Sequence, residues 1–140
     1  LYRLRDGELT QLTKDHSLLQ EQIDAGMITA EDARHSQNKN LVTRALGVDP
    51  EVETEIHDHD ALPGDIFLLC SDGLNDMVED EETAMTLQVL GANLDLAATQ
   101  LIQMANDNGG RDNVSVILVK ILREFPTAKG WWAKLLNWFK

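Results

Sequence analysis

Apolar positions along this 140-residue chain change their spacing several times, and each change marks an element. Tyr2 and Leu4 alternate with Arg3 and Arg5, Asp6-Gly7 supplies a two-residue turn, and Leu9 and Leu12 follow, so residues 1–13 read as a hairpin. Residues 15–36 read as two helical pieces. Asp15 or Ser17 can cap the first, and Gly26 stops it. Thr29, with Asp32 three residues on, is an acidic variant of the capping box and starts the second. Leu41 to Gly47 is a short apolar run carrying Arg44. Val52, Thr54 and Ile56 then alternate with Glu53, Glu55 and His57, which predicts a half-exposed strand. Leu62-Pro63-Gly64-Asp65 is a turn. Ile66 to Cys70 is unbroken and apolar, too short for a helix, and predicts a strand buried on both faces. Asp80 to Leu90 reads as a helix capped by Asp80, with Glu81 and Glu82 in the first turn where the dipole favours them, and Gly91 ends it. Asn93 can cap the next helix. There Leu94, Ala97, Ala98, Leu101, Ile102 and Ala105 form one apolar stripe suited to packing on a sheet. Val114 to Ile121 reads as the last core strand.

Past Ile121 the pattern breaks at Phe125-Pro126. Trp131, Trp132, Leu135, Leu136, Trp138 and Phe139 follow, interleaved with Lys129, Lys134 and Lys140, and all three tryptophans of the chain lie here. Such a segment suits a membrane surface or a partner groove; the other reading is that it folds back over its parent domain. Charge separates it from the rest. The chain carries a net −12. Residues 1–122 hold 8 Lys/Arg against 23 Asp/Glu, whereas residues 123–140 hold 4 against 1. An acidic body excludes nonspecific nucleic-acid binding, which needs a basic surface.

Length allows one domain, burying about two thirds of its unfolded surface if it folds alone. Were the chain half of a sandwich, one face of its core would stay uncovered. The single cysteine, Cys70, permits no internal disulfide and fits a reducing compartment; its place in a core strand suits an inert thiol. No apolar run approaches the roughly 18 residues of a membrane span. The expected location is cytoplasmic, peripheral to a membrane if the tail engages one.

Candidate chemistry sits at strand ends. Ile66–Cys70 stops at Ser71-Asp72-Gly73, where a carboxylate is held rigidly and the glycine admits a close approach. Gly109-Gly110-Arg111-Asp112-Asn113 leads into the last strand. Two aspartates at the ends of two core strands can converge on one hard cation. The plainer reading of both is a turn. His57-Asp58-His59-Asp60 invites a zinc reading, because i and i+2 side chains of a strand share a face, but a solvated strand end explains it better without a defined third ligand. His35 reads as a solvated helix end rather than an acid or base.

Gly64-Asp65-Ile66-Phe67-Leu68-Leu69-Cys70-Ser71-Asp72-Gly73-Leu74, followed by Gly109-Gly110-Arg111-Asp112-Asn113-Val114-Ser115-Val116-Ile117-Leu118-Val119, resembles the metal-dependent protein phosphatases of the PP2C (PPM) family in their compact bacterial form. Leu12-Thr13-Lys14-Asp15-His16-Ser17, Gly26 to Ala33, and Asn40 to Gly47 resemble that family's mobile flap and the segment after it. The resemblance runs from about Leu1 to Leu122. It implies an α+β fold, part of an α-β-β-α sandwich with antiparallel strands. It implies a domain over 1–122, with a flap at about 15–47, and a separate tail over 123–140.

The resemblance also implies phosphoserine/phosphothreonine hydrolysis by a water activated on two or more Mn²⁺ or Mg²⁺ ions. Asp72 and Asp112 would be metal ligands, with Ser71, Gly73 and Asn113 shaping or orienting them. Asp15, His16 and Arg44 would border substrate access. Phosphorylated proteins would be the substrates, and a serine/threonine kinase the functional counterpart. The family's first half, with a metal-bridging Asp-Gly pair, a phosphate-binding Arg and a His acid, has no counterpart here. The expectation is therefore a C-terminal fragment, itself a poor enzyme. The rival is a non-catalytic module of the same fold that docks a partner or a membrane.

Overall fold

The computed structural model describes residues 1–34, 36, 41–44, 47 and 50–124. His35 and the Trp-rich segment lie outside the described residues. The chain divides into two compact units, Leu1–Thr10 with Asp60–Lys140, and Gln11–His59.

In the first unit, β1 (Tyr2–Arg5) and β2 (Glu8–Gln11) form the expected hairpin. Asp6 and Gly7 both have positive φ, 52° and 86°, the combination a tight primed turn demands. β3 (Ile66–Cys70) and β4 (Val116–Lys120) complete an antiparallel sheet of order β2-β1-β3-β4. Leu68 pairs with Tyr2 on one side and Leu118 on the other. After β3 come a single helical turn, α3 (Asp72–Asn75), then α4 (Asp80–Leu90) and α5 (Leu94–Asp107). The α5 stripe meets its expectation: Ala97, Leu101 and Ala105 are fully buried, packed with Tyr2, Leu4, Ile66, Leu68, Leu74, Val78 and Leu87. The small alanines let the helix lie close to the sheet.

Three expectations are corrected. β3 is buried on one face only. Leu69 is 42% exposed, its cross-strand partner Ile117 is 60% exposed, and Val119, opposite Phe67, is 44% exposed. A strand is covered twice only if two layers flank the sheet, and among the described residues of this unit the helices α3, α4 and α5 supply one. Next, α4 spans the expected Asp80–Leu90, but Asp80 is not its cap. Glu79 occupies the cap position and its N–H donates to Glu82 Oε2 at 3.4 Å, leaving Asp80 as the first helical residue. Finally, Val52, Thr54 and Ile56 form no strand. All three are exposed, and alternation makes a strand only where a neighbouring strand accepts its hydrogen bonds.

In the second unit, α1 (Leu18–Asp24) is capped by Ser17, whose Oγ accepts from Gln20 N at 3.2 Å. Gly26, at φ 67°, ends it. α2 (Ala30–Arg34) starts with the expected box: Asp32 N donates to Thr29 Oγ1 at 3.1 Å and Thr29 N to Asp32 Oδ2 at 3.3 Å. Among the described residues, no helix is long and apolar enough to cross a membrane.

Candidate functional site

The β3–β4 ladder ends at the pair Cys70–Val116, and both candidate aspartates lie just beyond it. Ser71 leaves the strand in an extended conformation and its N–H still donates to Ser115 O at 3.1 Å. Its hydroxyl crosses the gap twice, donating to Asn113 O at 2.9 Å and accepting from Ser115 N at 3.0 Å. Asp72 opens α3, which is anchored by the buried Leu74 and by Val78 just after it.

The other loop is delivered by the end of α5. Asn108 caps it and donates its side-chain amide to Met77 O at 2.7 Å. Gly109 and Gly110, at φ 134° and 52°, turn the chain back toward β4, a path side-chain-bearing residues seldom take. Asp112 Oδ1 then accepts from Asn113 N at 2.6 Å. Gly73 joins the two loops. A Cβ there would lie 2.5 Å from Asn113 O and 3.0 Å from its carbonyl carbon, so only glycine allows this backbone contact.

The structure thus brings Ser71, Asp72, Gly73, Asp112 and Asn113 to one end of the sheet. Both carboxylates are exposed, and among the described residues neither enters an ion pair. Hard oxygen donors of this kind suit Mn²⁺ or Mg²⁺, so the residues fit part of such a site. They do not make a whole one: no group of three or more His, Cys, Asp or Glu among the described residues is placed to hold a metal ion. That holds equally for His57-Asp58-His59-Asp60, whose two imidazole centroids lie 6.3 Å apart.

Asp15, His16 and Arg44 fall in the second unit. Asp15 Oδ1 accepts from Gln11 Nε2 at 2.8 Å. His16 Nε2 lies 3.0 Å from Glu55 Oε1, and Arg44 donates to that same oxygen at 2.9 Å while reaching Glu53 Oε2 at 3.3 Å. The His16 hydrogen bond, then that of His57, holds the Glu55 carboxyl below its ordinary pKa. Glu55 is the residue that sequence reasoning missed. Its alternation with Thr54 and Ile56 suggested a strand face, and nothing local marks it as the anchor for two groups 39 and 11 residues away.

Comparison with known proteins adds to this geometry. The profile of the Stage II sporulation protein E (SpoIIE) family matches residues 20–122. The serine/threonine protein phosphatase PstP of Mycobacterium tuberculosis is 43% identical over 121 residues, covering 86% of this chain and 23% of that protein. The serine/threonine phosphatase stp of Listeria monocytogenes is 41% identical over 122 residues, 85% of this chain and 47% of that one. The chain therefore spans at most about half the length of these curated relatives. Among solved structures, M. tuberculosis PstP/Ppp superposes with a TM-score of 0.80 at 44% identity, covering 88% of this chain and 51% of that one. The PstP catalytic domain in complex with two manganese ions gives 0.75 at 43% identity, over 86% and 49%. With an antiparallel sheet under packed helices and a profile match across most of its length, the chain belongs to the SpoIIE/PP2C-type phosphatase family.

Proposed function

We propose that the protein containing this chain is a metal-dependent phosphatase acting on phosphoserine and phosphothreonine in proteins, with a serine/threonine kinase as its counterpart. Residues 1–122 form the C-terminal part of the catalytic domain, with the flap at about 15–47, and residues 123–140 form a separate tail. The observation that carries this reading is the backbone contact of Gly73 with Asn113, which places the Asp72 and Asp112 loops side by side.

When bound, Mn²⁺ or Mg²⁺ supplies Lewis-acid charge that activates water and screens the phosphate. Asp72 and Asp112 supply carboxylates to hold it. α3 and the α5–β4 loop would carry those carboxylates at the sheet end. Asn113 restrains Asp112 through its N–H. His16 and Arg44, tied to Glu55, hold the 11–59 unit that would border the substrate. The resemblance to PstP and stp, both serine/threonine phosphatases, supports the substrate class.

In the full-length protein, Asp72→Asn and Asp112→Asn should each lower Mn²⁺-dependent hydrolysis of a phosphothreonine peptide by at least about a hundredfold, as loss of a metal ligand does, with unchanged circular dichroism. Near-normal turnover in either variant refutes the assignment.

A second role rests on the tail. Three tryptophans and three lysines within 129–140 suit the surface of an anionic membrane. Sedimentation with phosphatidylserine vesicles should be lost on deleting residues 126–140. Equal sedimentation of both forms would remove the membrane reading.

A further inference from the structure

We infer that Ser71 is a positioning residue whose hydroxyl clamps the Asp72 loop to the Asp112 loop and thereby sets the spacing of the two carboxylates. This rests on the metal-site reading above and specifies what holds that site in shape.

Ser71 occupies the cap position of α3, where a serine hydroxyl ordinarily accepts from a backbone N–H two or three residues on. Here it makes no such bond. It turns instead to a segment more than 40 residues away, donating to Asn113 O at 2.9 Å and accepting from Ser115 N at 3.0 Å. Both capacities of the hydroxyl are therefore used across the gap, and none within its own helix. The place matters as much as the partners. Cys70–Val116 is the last ladder pair, and the Ser71 N–H to Ser115 O bond is the last strand-like link. Beyond it two loops are free to part, and each carries one aspartate within one residue of a clamped position. Gly73 shows how close the loops are held, because a Cβ would sit 2.5 Å from Asn113 O. The glycine permits that approach but contributes no attraction. The hydroxyl supplies it.

A hydroxyl that only supports the fold would change stability and leave metal affinity alone, so the two are measured separately. Mn²⁺ alone is titrated calorimetrically into the full-length wild type and its Ser71→Ala, Ser71→Thr and Asp72→Asn variants, with melting of each metal-free protein recorded alongside. Ser71→Ala should weaken Mn²⁺ binding about tenfold, and Ser71→Thr, which keeps the hydroxyl, should stay within about twofold of wild type, the scale typical of groups that orient metal ligands. If Ser71→Ala does not fold, Ser71→Cys replaces it, since the thiol fills the space but bonds poorly; the same loss is expected. Wild-type affinity in Ser71→Ala or Ser71→Cys, or an equal loss in Ser71→Thr, overturns the clamp. If Asp72→Asn has lost Mn²⁺ binding in that experiment, the metal site itself stands. Wild-type affinity in Asp72→Asn overturns the metal site and the clamp with it.

Discussion

Asp65 is the side chain on which the start of β3 depends. It is 2% exposed, and Arg5 reaches it with two donors, Nε to Oδ1 at 2.8 Å and Nη2 to Oδ2 at 2.6 Å. Leu62 N donates to the same carboxylate at 2.8 Å, closing the Leu62–Asp65 turn. The Arg5 hydrogen bonds, aided by Leu62 N–H and opposed by burial, lower its pKa from 3.8 to about 2. A depressed carboxyl stabilises the fold above its unfolded pKa and loses that contribution as pH falls through the folded value. The window is thus pH 4 to 2, and the contribution about 2 kcal/mol at neutral pH. Chemical denaturation of the chain across this range should show that loss. Asp65→Asn should be less stable at pH 7 and flatter between pH 4 and 2. An unchanged acid slope in the variant would remove Asp65 as its source.

Among the elements, α4 meets the sheet most tightly at its end. Gly91 is buried, and a Cβ there would lie 2.5 Å from Ile66 Cδ1 and crowd Leu87 O. Its φ of −65° suits any residue, so the glycine serves space and not conformation. Lys120 Nζ donates to the Gly91 carbonyl at 2.8 Å, joining this helix end to β4. Gly91→Ala should cost about 1–3 kcal/mol, the usual penalty of overpacking, read as a lower melting temperature. A melting temperature equal to wild type would mean that α4 shifts freely on the sheet. The helices also show how caps divide the work. Ser17 and Asn93 cap with their own side chains, whereas Ser71 spends its hydroxyl elsewhere and leaves α3 a single turn.

For the molecule as a whole, the outer face of the sheet is the informative feature. Phe67, Leu69, Ile117 and Val119 lie there with Arg3, whose Nε is buried without a partner among the described residues. A sheet face so apolar calls for a second layer, and this chain covers only 23% and 47% of the two relatives' lengths. The 140-residue chain alone should therefore bind 1-anilinonaphthalene-8-sulfonate strongly, and Ile117→Lys with Leu69→Lys should reduce the fluorescence several-fold. Equal dye binding by both would place the exposed apolar surface elsewhere.

Sequence alone determined what depends on neighbours along the chain. The Asp6-Gly7 turn, the Ser17 and Asn93 caps, the Thr29–Asp32 box and the α5 stripe are local patterns, and each is realised. The places of Asp72 and Asp112 beyond the ends of β3 and β4 were legible because each ends or precedes an apolar run. Tertiary structure decided whatever depends on groups far apart. No spacing reveals that Ser71 bonds Asn113 and Ser115, that Glu55 gathers His16 and Arg44, or that Arg5 neutralises Asp65. The two-sided burial expected of β3 failed for the same reason. Hydropathy records that a strand is apolar, but only packing determines how many layers cover it. The alternation of residues 52–57 likewise offers a strand face, and a strand exists only when another chain segment takes up its backbone hydrogen bonds.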